Sequence, residues 1–146
     1  NISWSRITGT IPSSLGELTA LTYLALHTNK LNGTIPTALG DLPQMHHLAL
    51  HVNCLSGSLP SVLGKLSKMQ YVTLFYNSLE GTIPTSFGGM VAIKGFGLYG
   101  NCLAGTIPHQ LSTLVTMTSF YIEQNSLTGT IPSQLCSLPV VADMYF

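Results

Sequence analysis

Residues 18–41 read LTALTYLALHTNKLNGTIPTALGD, and the order Leu18-x-x-Leu21-x-x-Leu24-x-Leu26-x-x-Asn29-x-Leu31-x-Gly33-x-Ile35-Pro36-x-x-Leu39-Gly40 decides the fold. The frame returns at Leu42, Leu66, Met90, Leu114 and Leu138, a period of 24 without insertion. Five complete units result, 18–41, 42–65, 66–89, 90–113 and 114–137, flanked by partial units at 1–17 and 138–146. A unit this short cannot bury its own leucines, so the units have to stack, and stability comes from the interfaces between neighbours.

Each column of the repeat has a physical task. Leu24 and Leu26 alternate with polar or aromatic residues, as in a half-buried strand, and Leu48/Leu50, Val72/Leu74, Phe96/Leu98 and Phe120/Ile122 repeat the pattern. Stacked copies predict a parallel sheet with strands about 4.8 Å apart. Asn29, Asn53, Asn77, Asn101 and Asn125 stand where the chain turns inward, and an amide there satisfies backbone groups left unpaired by the turn. Gly33 and its equivalents permit a tight bend, and Pro36, Pro60, Pro84, Pro108 and Pro132 set the backbone before a short helical turn.

The string Leu-x-x-Leu-x-Leu-x-x-Asn-x-Leu-x-Gly-x-Ile-Pro-x-x-Leu-Gly resembles the plant-type leucine-rich repeats of receptor-like kinase ectodomains, receptor-like proteins and polygalacturonase-inhibiting proteins. The resemblance covers the whole chain. It implies an α/β solenoid, a right-handed superhelix with a concave parallel β-sheet and short 3₁₀ or helical turns on the convex side. It also implies a second short strand around Gly-Thr-Ile-Pro. Family members usually carry paired cysteines in caps at both ends, and neither Asn1–Leu15 nor Leu138–Phe146 contains such a pair. With the apolar run Val140-Val141-Ala142-Asp143-Met144-Tyr145-Phe146 uncapped, the chain is expected to be a fragment of a longer array whose neighbouring repeats are its partners.

Only 7% of the residues are charged and the formal net charge is zero, so no basic footprint for nucleic acid or an anionic membrane exists. No apolar run approaches the roughly 20 residues that a membrane span requires. Asn1-Ile2-Ser3 and Asn32-Gly33-Thr34 are acceptor triplets for N-linked glycans, which favours an extracellular or cell-surface location. Cys54 and Cys102 share a column two units apart, about 10 Å by strand spacing and beyond disulfide reach. These thiols and Cys136 are expected to be free and partly buried.

The acids Glu17, Asp41, Glu80, Glu123 and Asp143 are scattered among columns, and no nucleophile, base and orienting group converge. No enzymatic activity, cofactor or metal is expected. His27 and His51 are neighbours in an outward column, but with only Tyr23 and Lys30 nearby they lack an obvious third metal ligand.

Three columns point out of the first sheet: Tyr23/His47/Tyr71/Gly95/Ser119/Asp143, Ala25/Ala49/Thr73/Gly97/Tyr121/Tyr145 and His27/His51/Phe75/Tyr99/Glu123. Tyr23, His27, His47, His51, Tyr71, Phe75, Tyr99, Tyr121 and Glu123 are the candidate ligand-binding residues. Aromatic side chains with few rotatable bonds are typical anchors of recognition surfaces. Gly95, Gly97 and Gly100 remove side chains between Tyr71/Phe75 and Tyr121/Glu123, predicting a shallow trough for a peptide strand or a glycan; the competing reading is that they relieve crowding beside Phe96.

The leading functional expectation is a protein- or peptide-recognition module. The alternative is a structural, matrix or surface-adsorbing solenoid. It rests on the hydroxyl column Thr10, Thr34, Ser58, Thr82, Thr106 and Thr130, accompanied by Ser13, Thr37, Ser61, Thr85 and Ser133.

Overall fold

The computed structural model describes residues 5–139 and 142–146. In chain order the strands are β1 (Thr8–Thr10), β2 (Tyr23–Ala25), β3 (Lys30–Gly33), β4 (His47–Ala49), β5 (Cys54–Ser58), β6 (Tyr71–Thr73), β7 (Ser78–Gly81), β8 (Gly95–Gly97), β9 (Cys102–Gly105), β10 (Ser119–Tyr121), β11 (Ser126–Leu127) and β12 (Asp143–Tyr145). The even-numbered strands form one parallel sheet and the odd-numbered strands another, each in sequence order. A 3₁₀ turn follows each Thr-Ile-Pro or equivalent segment, at Ser13–Glu17, Thr37–Asp41, Ser61–Lys65, Thr85–Gly89, His109–Thr113 and Ser133–Ser137. In every case the preceding proline holds an extended conformation with φ between −67° and −59°, and the turn begins at the next residue.

The even sheet keeps the register of the repeat: Tyr23 pairs with His47, His47 with Tyr71, Tyr71 with Gly95, and so on to Asp143. The odd sheet does not. Thr8 pairs with Lys30, Asn32 with Cys54 and Ser58 with Glu80, an offset of 22. Each unit therefore slips two residues along the strand as well as stepping one strand across. About 6.6 Å along and 4.8 Å across place equivalent positions about 8 Å apart on this flank, wider than on the even sheet. By the same reckoning Cys54 and Cys102 are about 16 Å apart, not the 10 Å expected from an unstaggered column.

One expectation is refined and another corrected. The second strand leads into Gly-Thr-Ile-Pro and does not extend through it: β3, β7 and β9 end on Gly33, Gly81 and Gly105, while β1 and β5 stay paired through Gly9 and Gly57 at φ of 90° and 74° and end one residue later. The three thiols are free but exposed. Cys54 and Cys102 stand in the same outward column as the exposed Lys30, Ser78 and Ser126.

The core is a stack of identical layers. Leu42, Leu66, Met90 and Leu114 are buried, as are Met45, Met69, Ile93 and Met117. Phe87, Phe96 and Phe120 enlarge the core in the third, fourth and fifth units, with Phe87 and Phe96 stacked at 5.8 Å between centroids. The asparagine ladder closes each turn. Asn53 Nδ2 donates to Leu26 O and Leu50 O, while its Oδ1 accepts the Leu31 backbone N–H of the preceding unit; Asn77, Asn101 and Asn125 repeat this set.

Just before each asparagine lies a position that the sequence gives no reason to single out. Thr28, Val52, Tyr76 and Gln124 adopt left-handed conformations with φ of 52° to 56°, and Gly100 does so with φ 64°. Left-handed backbone costs an L residue about 1–2 kcal/mol, and Val52, being β-branched, is the least suited to it. The inward turn at the asparagine imposes this conformation whatever the side chain.

Candidate functional site: the concave aromatic face

The outward columns of the even sheet bring the predicted residues into two ladders. In the first, His27 stacks on His51 at 4.3 Å between centroids, His51 on Phe75 at 4.2 Å, and Phe75 on Tyr99 at 4.5 Å, with interplanar angles of 20° or less. In the second, Tyr23, His47 and Tyr71 follow one another at 5.3 and 5.0 Å in tilted pairs. The spacing is that of the strands, so the sheet itself holds rings of adjacent units in contact. Tyr121 is separate from both, 5.4 Å from Tyr145. Glu123 follows Tyr99 in the column and carries no ring.

The middle column is outward by register yet buried at Ala25, Ala49 and Gly97. Rings on either side close over these small residues. A Cβ on Gly97 would lie 3.2 Å from Phe75 Cδ1, and one on Gly95 would lie 3.3 Å from Tyr71 Cδ1 and 2.7 Å from Ser119 Oγ. The atoms crowding these glycines across the face belong to Tyr71, Phe75 and Ser119, while the Phe96 ring is buried in the core.

Tyr76 belongs to the face and was not anticipated. Its left-handed backbone turns the ring back over Gly100 and edge-on to Phe75 and Tyr99, at 5.7 and 5.0 Å. The only signal in the sequence is a third aromatic beside Phe75 and Tyr99, at a position whose conformation the strand pattern does not reveal. Thr73 is a second addition, sharing a hydrogen bond with His51 Nδ1 at 3.2 Å.

Two hollows lie on this face. One, about 310 Å³, is bordered by Tyr23, His27, His47, Ala49, His51, Tyr71 and Thr73. The other, about 260 Å³, has Gly95, Phe96 and Gly97 as its floor and Tyr71, Phe75, Tyr99, Ser119 and Tyr121 as its walls. Larger depressions of about 660 and 690 Å³ occur along the Thr-Ile-Pro segments, but they lack aromatic walls. There the methyls of Thr10, Thr34, Thr82 and Thr106 each stand within 3.0 Å of where the next unit's glycine would carry a Cβ. Packing over glycine accounts for that threonine column without a ligand. Among the described residues no group of three or more His, Cys, Asp or Glu side chains could hold a metal ion.

Burial, and then its neighbour His27, lower the His51 pKa from 6.5 to about 4. Burial also lowers that of His47, with His46 and Lys94 adding to it. The fold therefore favours the neutral imidazole. Above pH 6.5 His51 is neutral in both folded and unfolded chains and contributes no pH dependence. Between 6.5 and 4 the unfolded chain takes up a proton that the folded chain refuses, so stability falls with falling pH and levels off below 4. Because the ring is partly solvated, the loss is about 1 kcal/mol rather than the full linkage value, a Tm decrease of about 4 °C. Thermal melts of wild type and His51→Phe at pH 7 and pH 4 check this: the variant should show a smaller drop, and an equal drop would exclude His51 as the cause.

Stacked units of two short strands, one asparagine turn and one 3₁₀ turn, with rings ranged along the even sheet, define a leucine-rich-repeat solenoid. The Leucine Rich Repeat family model matches residues 20–42, 68–90 and 116–138. The chain carries leucine-rich repeats, and its fold matches ectodomains of the plant-type class. It is similar to the plant peptide hormone receptor RGFR1, solved in complex with RGF2, with 34% identity, a TM-score of 0.97 and coverage of 98% of this chain and 23% of that one. It is also similar to the ectodomain of the receptor kinase GASSHO1/SCHENGEN3 from Arabidopsis thaliana, solved with CASPARIAN STRIP INTEGRITY FACTOR 2: 36% identity, TM-score 0.85, 88% of this chain and 15% of that one. For the Arabidopsis receptor kinase HAESA, solved with the peptide hormone IDA and the co-receptor SERK1, the values are 29%, 0.89, 92% and 22%. The chain thus spans about a quarter or less of the length of these structures. No curated protein matches it.

Proposed function

We propose that the chain is a non-catalytic recognition module that binds an extended peptide, or a peptide segment of a protein, across the concave aromatic face. The observation that carries this reading is the continuous ladder of stacked rings beside a hollow floored by buried glycines. Rings held by a rigid sheet lose little entropy on binding, and a glycine floor lets a ligand approach the backbone closely. The likeness to the peptide hormone receptor RGFR1, and to HAESA in complex with the peptide hormone IDA, supports a peptide over a glycan as occupant. Standard interfaces take about 800 Å² per partner, an area that a six-stranded sheet can supply.

The test is direct. Peptides selected on the protein from a random phage-displayed library should lose at least about tenfold in affinity on Phe75→Ala or Tyr121→Ala, while the circular dichroism spectrum keeps its wild-type form. Peptides that bind both variants as tightly as wild type would sink the reading.

The module works outside the cell, the setting of the similar ectodomains. Among the described residues no helix is long and apolar enough to cross a membrane. Asn32, exposed on β3 and followed by Gly33 and the exposed Thr34, is the proposed glycan acceptor; Asn1 lies outside the described residues, as do Val140 and Val141. Expression in a secreting eukaryotic host should give a glycosidase-sensitive mass increment that Asn32→Gln removes, and an unchanged mass in wild type would refute the assignment. Membership of a longer array of neighbouring repeats is part of the same proposal. The partly open Leu127 and the exposed Ile131 support it, since the equivalent Leu103 and Ile107 are buried by the unit that follows them.

A further inference from the structure

Glu123 takes the place in the ladder where a further ring would stand. Its Oε2 is buried without a hydrogen-bond partner, and among the described residues no cation pairs with it. Leaving a carboxylate oxygen unpaired in this position is costly, and a donor brought by a ligand would relieve that cost. As a residue Glu123 is only half-buried, and the soft terminal torsion of a glutamate lets the carboxylate turn toward an incoming group.

The glycine-floored hollow lies beside it. Gly97 pairs with Tyr121 across the sheet, and Glu123 is two residues further along the same face. One strand spacing across and two residues along separate the hollow from the carboxylate by about 8 Å. In an extended peptide, side chains two residues apart point to the same side at about 6.6 Å, a comparable reach.

We infer that the concave face recognises a peptide with a planar apolar side chain, aromatic or prolyl, seated over Gly97, and a lysine or arginine two residues away against Glu123. This rests on the peptide-recognition reading above and names its ligand class. Tyr99 completes the cation's surroundings: its ring stacks on Phe75 on one side and adjoins Glu123 in the same outward column, so a cation meets a ring and a carboxylate together. Burial, then Tyr76 and Glu123, raise the Tyr99 pKa, consistent with a carboxylate close to the phenol and with a neutral ring at physiological pH.

Panning the full-length protein with a random phage-displayed peptide library tests this. The expected result is enrichment of sequences with an aromatic residue or proline two positions from lysine or arginine. Their affinity should fall about tenfold on Glu123→Gln, and on replacing the basic residue of the peptide with glutamine, with no further loss when both changes are combined. Enriched peptides that depend on Phe75 and Tyr121 but show no basic preference, or that bind Glu123→Gln as well as wild type, overturn this inference and leave the broader reading standing. Enriched peptides indifferent to Phe75→Ala, or no enrichment at all, overturn both. A lower Tm of Glu123→Gln with peptide affinity unchanged would assign the carboxylate to a cation within the polypeptide, which also overturns the inference.

Discussion

Asn101→Ala should destabilise the array by about 4 kcal/mol, read as a shift in the urea midpoint at unchanged slope. Asn101 is the buried polar residue of the core, 9% exposed. Its Nδ2 donates to Leu98 O at 2.9 Å, Leu74 O at 3.1 Å and Tyr99 O at 3.3 Å, while Oδ1 accepts the Leu79 backbone N–H at 3.0 Å. The two leucine carbonyls are also reached by Asn77 and Asn125, so each keeps a partner after the substitution. The Leu79 N–H has no such reserve, and Leu79 is fully buried. One orphaned buried donor, the lost bonds and a small cavity each contribute about 1–2 kcal/mol. Asn125→Ala, at a less buried rung, should cost less; equal costs would show that burial of the ladder is not what makes it matter.

Gly64→Ala should cost about 3 kcal/mol or more, although alanine is ordinarily the better residue in a helical turn. The backbone at Gly64 is acceptable to any L residue, so the cost is entirely steric. A Cβ there would overlap the Ser86 carbonyl oxygen and stand 2.5 Å from the Ser86 carbonyl carbon in the adjoining 3₁₀ turn. Backbone cannot move aside as a side chain can, so the two turns have to separate. Gly9→Ala provides the contrast: no atom lies within 4 Å of its Cβ, but φ is +90°, and the loss of about 1 kcal/mol comes from backbone strain alone. Comparing the two Tm shifts separates close packing from conformational cost, and a Gly64→Ala shift no larger than that of Gly9→Ala would contradict the tight contact.

The sequence by itself determined the repeat, and with it the solenoid, because the 24-residue period places leucine, asparagine, glycine and proline where a stacked coil needs them. It also determined which side chains of the even strands share the outward face, since the even sheet keeps the register of the repeat and columns in the string become neighbours in space. Tertiary structure alone decided what departs from that register. The slip of two residues in the odd sheet is invisible in a strictly periodic string, because the string records which residues are equivalent and not how far one unit slides on the next. The same limit hid Tyr76, whose ring reaches the face through a left-handed backbone imposed by the asparagine turn, and the burial of Gly95 and Gly97 beneath rings from the neighbouring strand. It also hid the unpaired oxygen of Glu123, because an orphaned polar atom is a property of the packed surroundings and not of any residue in the chain.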